Sequence, residues 1–457
     1  LTEAVAIDAQ TISAQASAER IIARCREIAQ ITDVQGETTR TFLSPATQRA
    51  HAMIGGWMRA AGMAVHVDAA GNLRGLLPAA TPDAPRLLIG SHLDTIADAG
   101  AFDGILGVVM GIALAEEMAE AARTSPLPFA IEVIGFSEEE GVRFAKPFLG
   151  SLALVGELDA TTLARTDRAG ISVADAIRNF GLDPSNLAAA VVHPSAFAYL
   201  EFHIEQGPVL ESEGLAVGVA DAIAGQTRMQ LTFIGQSNHA GTTPMGSLRR
   251  DALAAAAQWV VEVERYANAS SGGGLVATVG KVETGAGAGN VIAGEFIATL
   301  DVRHARDAAR HAAVRHYLDY AKIAGAARGV TVTHTTSLDQ AAVPLDPALA
   351  ALLGDAAARA TGLPSRFMTS GAGHDAMIVA RRIPCAMLFL RSPGGLSHHP
   401  EEMVLAEDVA AAYATGLEFL RRLREDRTIL ERVVHNAAGA EIASPSATGR
   451  KREAPHA

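Results

Sequence analysis

The chain has 457 residues, 49 % hydrophobic and 19 % charged, and a net charge of −12. That length is too great for one ordinary core and predicts two domains. The acidic balance, without a Lys/Arg stripe carrying interleaved aromatics, argues against a nucleic-acid partner, and no apolar run reaches the roughly 18 uncharged residues of a membrane span.

Residues 1–17 are Ala-rich and polar without strong caps, and 18–30 read as a helix with Ile21, Ile22, Cys25 and Ile28 on one side. The N-terminus lacks the basic-then-apolar pattern of a signal peptide. The two cysteines, Cys25 and Cys385, form neither a disulfide framework nor a CxxC site, so a reduced, cytoplasmic setting is expected. Between about 85 and 135 the order is strand (86–90), loop, long apolar helix (104–122), strand (129–136). This βαβ order implies a parallel or mixed sheet. A further strand, 198–202, ends at His203.

The pattern then changes. Runs at 217–223 and 228–234, a helix at 249–266, strands at 275–282 and 295–302, a helix at 305–324 and a strand at 330–335 make a block that could close as its own α+β sandwich. After Pro344 come a helix, a strand at 384–390 and a helix at 405–425. The expected fold is therefore α/β: a mixed-sheet domain formed by 18–213 and 335–428, with an α+β sandwich inserted at 214–334. Residues 1–17 and 429–457 are expected to be mobile ends, and the basic cluster Arg450, Lys451 and Arg452 to be solvated.

The strand ends carry the chemistry. In GSHLDT (90–95), alternation along an extended segment puts His92 and Asp94 on one face, as a ligating imidazole and its carboxylate partner require. Asp103 precedes the long helix, where the helix dipole favours negative charge. Glu138, Glu139 and Glu140 follow a buried strand, and like charges packed there repel unless a cation intervenes. Adjacent glutamates can divide the work, one holding a metal and one taking a proton from water. His203 follows another strand. His398 or His399, in SHHPEE (397–402), follows the last, and spacing alone does not choose between them. Three imidazoles and two or three carboxylates suit Zn²⁺, Mn²⁺, Co²⁺ or Ni²⁺ in a two-metal site. His239 in NHAGTTPM, Asn290, Arg303 and His374 in GAGHDA have the character of substrate contacts, Arg303 through a bidentate fork to a carboxylate.

The motifs GSHLDT, Asp103-Gly104, EEGVRF, HIEQGPVLE, NHAGTTPM, GAGHDA and SHHPEE, in that order over about 18–425, resemble the amidase branch of the M20 metallopeptidase-like hydrolases. That branch contains N-carbamoyl-L-amino-acid hydrolases, β-ureidopropionases and allantoate amidohydrolases. The resemblance implies a pair of divalent ions, with His92 and His203 on one, Glu140 and His398 on the other, and Asp103 bridging. It implies Glu139 as general base and then acid, Asp94 behind His92, and His239 as oxyanion donor supplied by the partner of a homodimer. Gln206, Asn290, Arg303 and His374 would bind a small ureido acid, with Arg303 on its carboxylate. The inserted domain would pair with its twin and act as a lid. Allantoate is the expected substrate, with N-carbamoyl-L-amino acids next. The competing expectations are an M20 dipeptidase or aminoacylase, and a homologue that binds but does not turn over.

Overall fold

A computed structural model describes residues 9–285 and 288–439; the basic cluster at 450–452 lies outside them. In chain order the strands are β1 (Ala64–Val67), β2 (Leu73–Leu77), β3 (Arg86–His92), β4 (Ala130–Phe136), β5 (Ala196–Ile204), β6 (Val217–Ile223), β7 (Gly225–Ile234), β8 (Val276–Thr278), β9 (Val282–Thr284), β10 (Glu295–His304), β11 (Thr331–Gln340), β12 (Val343–Pro344), β13 (Phe367–Ser370) and β14 (Cys385–Leu390). The chain divides into two compact units. Of the described residues, one comprises those up to 217, 351–364 and those from 375 on; the other comprises those within 218–350 and 365–374.

In the first unit the strands run β1-β2-β4-β3-β5-β14. β3, β4, β5 and β14 are parallel, and β1 and β2 are antiparallel to their neighbours, so the sheet is mixed. β4 and β14 are buried along their whole length, which explains their continuous apolar sequences. Helix Ile105–Ala122 lies on β3, β4 and β5. It is apolar nearly all round because it is covered nearly all round, with Ile105 through Ala115 buried. Gly107 permits its first turn to sit on the sheet: a Cβ there would fall 2.3 Å from the carbonyl oxygen of Phe202 and 2.7 Å from Cβ of Ser91.

Among the described residues, helices extend past both expected bounds of this unit. Helix Ala9–Ala29 starts well before residue 18 and packs against helix Ala406–Glu425. An Ala-rich run needs no strong cap when a neighbouring helix supplies its packing. A further helix, Arg427–Gly439, continues past 429, burying Leu430 and Val433 at helical spacing.

The second unit holds an antiparallel sheet in the order β11-β7-β10-β8, with β9 also on β10. The run expected as one strand at 275–282 is two short strands, β8 and β9, that meet different stretches of β10. Val279, Gly280 and Lys281 separate them. Helices Ala252–Ala269 and Asp307–Ala326 pack on this sheet over Leu231, Phe233, Trp259, Phe296, Leu300 and Tyr317. β7 and β10 alternate buried positions with more accessible ones, as sheets covered on one face do. β6 pairs with β12 and β13 in the same unit. No helix among the described residues is long and apolar enough to cross a membrane.

Candidate metal centre

Parallel strands end on the same edge of a sheet, and this edge gathers the polar residues. His92 is the last residue of β3, and His203 is the penultimate residue of β5. Glu138, Glu139 and Glu140 follow β4 directly, and His398 follows β14 across a turn. The β3–β4 register sets His92 beside Phe136, and the β5–β14 register sets His203 beside Phe389.

The two strand-end imidazoles converge on Asp103. Nε2 of His92 lies 3.4 Å and Nε2 of His203 3.1 Å from Oδ1 of Asp103, and the two Nε2 atoms are 3.5 Å apart. Each ring also places Nδ1 on a main-chain carbonyl: His92 on Asp94 at 3.0 Å, His203 on Ile204 at 2.9 Å. A carbonyl only accepts, so both Nδ1 atoms carry the proton. With Nε2 unprotonated, the two rings aim two lone pairs and a buried carboxylate oxygen at one point. Oδ1 of Asp103 has no hydrogen-bond donor. Such a set is repulsive unless a cation lies between its members, and it fits a divalent ion.

A second grouping shares the same carboxylate. Nε2 of His398 lies 3.4 Å from Oδ2 of Asp103 and 3.5 Å from Oε1 of Glu140. The possible ligand atoms of His92, Asp103 and His203 lie within 4.8 Å of one another, as do those of Asp103, Glu140 and His398, and those of His92, Glu139 and Glu140. Asp103 is thus common to two groups and Glu140 to two. His399 is in none of the three and accepts the N–H of Glu401 at Nδ1. The donors are nitrogen and oxygen; both cysteines are buried and neither is in a disulfide.

Asp94 stands behind His92 as expected, its carboxylate 3.6 Å from Nδ1, and adds a hydrogen bond accepted by its main-chain carbonyl. β3 stops at His92, so strand alternation does not reach residue 94. The ring meets the main-chain carbonyl of Asp94, while the carboxylate accepts the N–H groups of Glu139 and Glu140 at 2.9 and 3.1 Å. One aspartate thereby fixes both the imidazole and the glutamate pair. Glu138 is fully buried and accepts the N–H of Arg143. Gly104 has φ +69, and a Cβ there would lie 2.4 Å from the His92 ring, so glycine after Asp103 is a requirement of the site.

The electrostatics match this arrangement. Burial raises Glu139 well above the usual carboxylate range, with Glu140, Asp375 and Asp94 adding to it and His92 opposing. Burial likewise pushes Glu140 up to about 7. Burial would lower His92, but Asp103 and the neighbouring carboxylates outweigh it and hold the ring well above its ordinary value. Asp103 is held well below its ordinary value despite burial, through His203, His398 and His92. The cluster attracts positive charge, whether protons or cations.

Gln206 lies in the same unit with a left-handed backbone, φ 58, and His398 has φ 57. Non-glycine residues held in that region concentrate at functional sites. The amide of Gln206 donates to Oδ2 of Asp103 at 3.0 Å and to Ser397 at 3.1 Å, so it steadies the shared carboxylate.

In the second unit two pairs of expected residues come together. His239 and Val291 form an isolated bridge, and the carbonyl of Asn290 accepts the N–H of Ala240. Nδ1 of His239 accepts the N–H groups of Gly241 and Thr242, so its neutral form carries the proton on Nε2. Arg303, on β10, is held in a fork by Asp301 at 2.8 and 3.1 Å and donates to the carbonyl of Gly371. That loop also carries His374, whose Nε2 meets the Ser370 hydroxyl at 2.9 Å.

Several supporting residues had no role in the sequence reading. Ser397 and Glu402 hold Asp103 and its loop. Glu201 accepts from Ser91 and from the N–H of Ala376, and Asp375 is fully buried. A carboxylate two residues before His203 on a buried strand, and one directly after His374, were the available signals.

Buried imidazoles and carboxylates gathered at the strand ends of a mixed α/β sheet define a hydrolase of the kind that works with divalent cations. The chain belongs to Peptidase family M20/M25/M40, whose model matches residues 88–423. It is 39 % identical over 431 residues to an allantoate deiminase of Arabidopsis thaliana, covering 88 % of this chain and 82 % of that protein. It is 38 % identical over 394 residues to an N-carbamoyl-L-amino acid amidohydrolase of Geobacillus stearothermophilus, covering 86 % and 95 %. Its fold matches a solved amidase of the hydantoinase/carbamoylase family from Burkholderia multivorans with a TM-score of 0.82 at 31 % identity, covering 89 % and 98 %.

Proposed function

We propose that this chain is an amidohydrolase with two divalent ions that cleaves the ureido C–N bond of an N-carbamoyl-type acid, with allantoate first and N-carbamoyl-L-amino acids next. The observation that carries the reading is Asp103 shared between the His92–His203 pair and the Glu140–His398 pair. His92, His203 and Asp103 would hold one ion, and Glu140, His398 and Asp103 the other. Zn²⁺ or Mn²⁺ suits the nitrogen and oxygen donors best, with Co²⁺ or Ni²⁺ also compatible. Such ions supply Lewis acidity that polarises a carbonyl and lowers the pKa of water.

Glu139 is the general base. Its carboxylate takes the proton of the attacking water as the C–O bond forms, then delivers it to the departing nitrogen as the C–N bond breaks. Asp94 keeps Glu139 in place through its main-chain N–H. His239 donates from Nε2 to the developing oxyanion, a contribution on the order of 3–4 kcal/mol for one donor in other enzymes. Arg303 takes the substrate carboxylate, and Asn290, His374 and Gln206 complete its recognition.

Residues 214–334 serve as lid and dimerisation domain, the partner copy supplying His239. Exposed apolar side chains there, among them Met245, Leu248, Val261 and Ile323, support a partner surface. Two buried cysteines that form no disulfide suit a reducing, cytoplasmic setting.

The test is ammonia release from allantoate, N-carbamoyl-β-alanine and several N-carbamoyl-L-amino acids, with Mn²⁺, Zn²⁺ or Co²⁺ returned after chelation. Metal-dependent ammonia release is expected. Hydrolysis of dipeptides or N-acyl amino acids alone would replace this assignment with a dipeptidase or aminoacylase. Full metal uptake without any turnover would leave a binding homologue.

A further inference from the structure

Two distant segments must meet at the shared carboxylate. Residues 99–104 carry Asp103 in the loop after β3, and residues 397–402 carry His398 after β14. The N–H groups of Phe102 and Asp103 belong to buried residues and need an acceptor. Both donate to one atom, Oε1 of Glu402, each at 3.0 Å. Glu402 is itself 5 % exposed. Its other oxygen lies 3.4 Å from the Ser397 hydroxyl, which is 3.1 Å from Oδ2 of Asp103, and its own N–H donates to the His399 carbonyl at 3.0 Å, closing the turn 399–402 that directly follows His398. Gly100 makes room for this carboxylate: a Cβ there would lie 2.4 Å from Cβ and 2.6 Å from Oε1 of Glu402.

The two halves of the centre differ in how they are held. His92 and His203 sit in hydrogen-bonded strands with a ring nitrogen on a carbonyl. The His398 side chain is 49 % exposed and its backbone is left-handed, so neither burial nor a relaxed conformation keeps it in place.

The geometry points to Glu402 as a positioning residue, not an ion ligand: it sets Asp103 and His398 in register, and on it the Glu140–His398 half of the centre depends to retain its ion. This rests on the two-ion reading above. A carboxylate behind a ligand typically governs metal affinity in this way, at a cost of ~10- to 100-fold when removed.

The test uses the full-length chain, stripped with chelator and titrated with Mn²⁺ by calorimetry. Bound ions are counted by elemental analysis, and the fold of the ion-free protein is checked by circular dichroism. Glu402→Ala is expected to keep one ion at near wild-type affinity and bind the second ~10- to 100-fold more weakly. Glu402→Gln, whose amide oxygen still accepts both N–H groups, should stay within roughly threefold of wild type, losing only the charge assistance. Glu401→Ala, at the exposed neighbouring position, should change neither ion. A folded Glu402→Ala protein that binds both ions normally overturns the proposal, as does a Glu402→Gln protein no better than the alanine variant. Where Glu402→Ala does not fold, Gly100→Ala keeps the carboxylate but displaces it, and normal retention of both ions in that variant equally overturns the proposal. A wild-type chain that binds fewer than two ions instead overturns the two-ion reading, and does so before any substitution is made.

Discussion

Glu139 and Glu140 are adjacent, yet the proposed mechanism gives them different tasks. Both lie within ligand distance of His92, so proximity alone does not separate base from ligand. Glu139→Gln separates them: turnover is expected to fall by ~10²- to 10⁴-fold while both ions are retained. Loss of an ion in that variant would make Glu139 a ligand instead. Away from the centre, His51 is a buried imidazole with neither ring nitrogen hydrogen-bonded, stacked edge-on against Phe180. Burial, with a smaller contribution from Arg40, lowers its pKa from 6.5 to about 4. The unfolded chain therefore binds more protons than the folded one between those values. Stability is full above about pH 6.5 and falls as pH drops toward 4, by on the order of 3 kcal/mol at most. His51→Leu should flatten urea-unfolding stability over that window. A pH profile unchanged by the substitution would exclude His51 as its source.

The element that most directly couples packing to chemistry is helix Ile105–Ala122. Its first turn rests on the ends of β3 and β5, within van der Waals reach of Ser91 and Phe202, the residues immediately before His92 and His203. Gly107→Ala should push helix and strands apart at a cost of ~1–3 kcal/mol. It should lower both the melting temperature and the affinity for the first ion, since the same displacement moves both imidazoles. A melting temperature equal to that of wild type would show that the helix start can shift freely. The boundaries of this helix were legible from its apolar run, and β4 and β14 were legible from theirs. The split of β8 from β9 was not, because a short strand is defined by which stretch of β10 it meets. The helix at Arg427–Gly439 was missed for a related reason: its two buried apolar positions gain their meaning from packing on the rest of the unit.

For the whole molecule, the centre is a liability unless ions occupy it, because buried like charges oppose folding. Bound ions should stabilise the fold by ~3 kcal/mol when present at 100 times their dissociation constant. Thermal unfolding should therefore shift down with chelator and recover on adding back Mn²⁺ or Zn²⁺. A melting temperature indifferent to chelation in protein shown to have lost its metal would contradict the coupling of ions to this cluster.

By itself the chain's order of residues determined which side chains lie at strand ends: His92 after an apolar run, the glutamates after another, His203 and His398 after two more. Periodicity carries that information because buried parallel strands must be apolar and must stop where polar groups begin. Only the tertiary structure decided that Asp94 reaches His92 through its carbonyl, that Gln206 and Ser397 steady Asp103, and that a carboxylate about three hundred residues away holds the loop of Asp103. Those contacts depend on where turns end and which atoms meet, and pattern along a chain does not encode distances between residues so far apart.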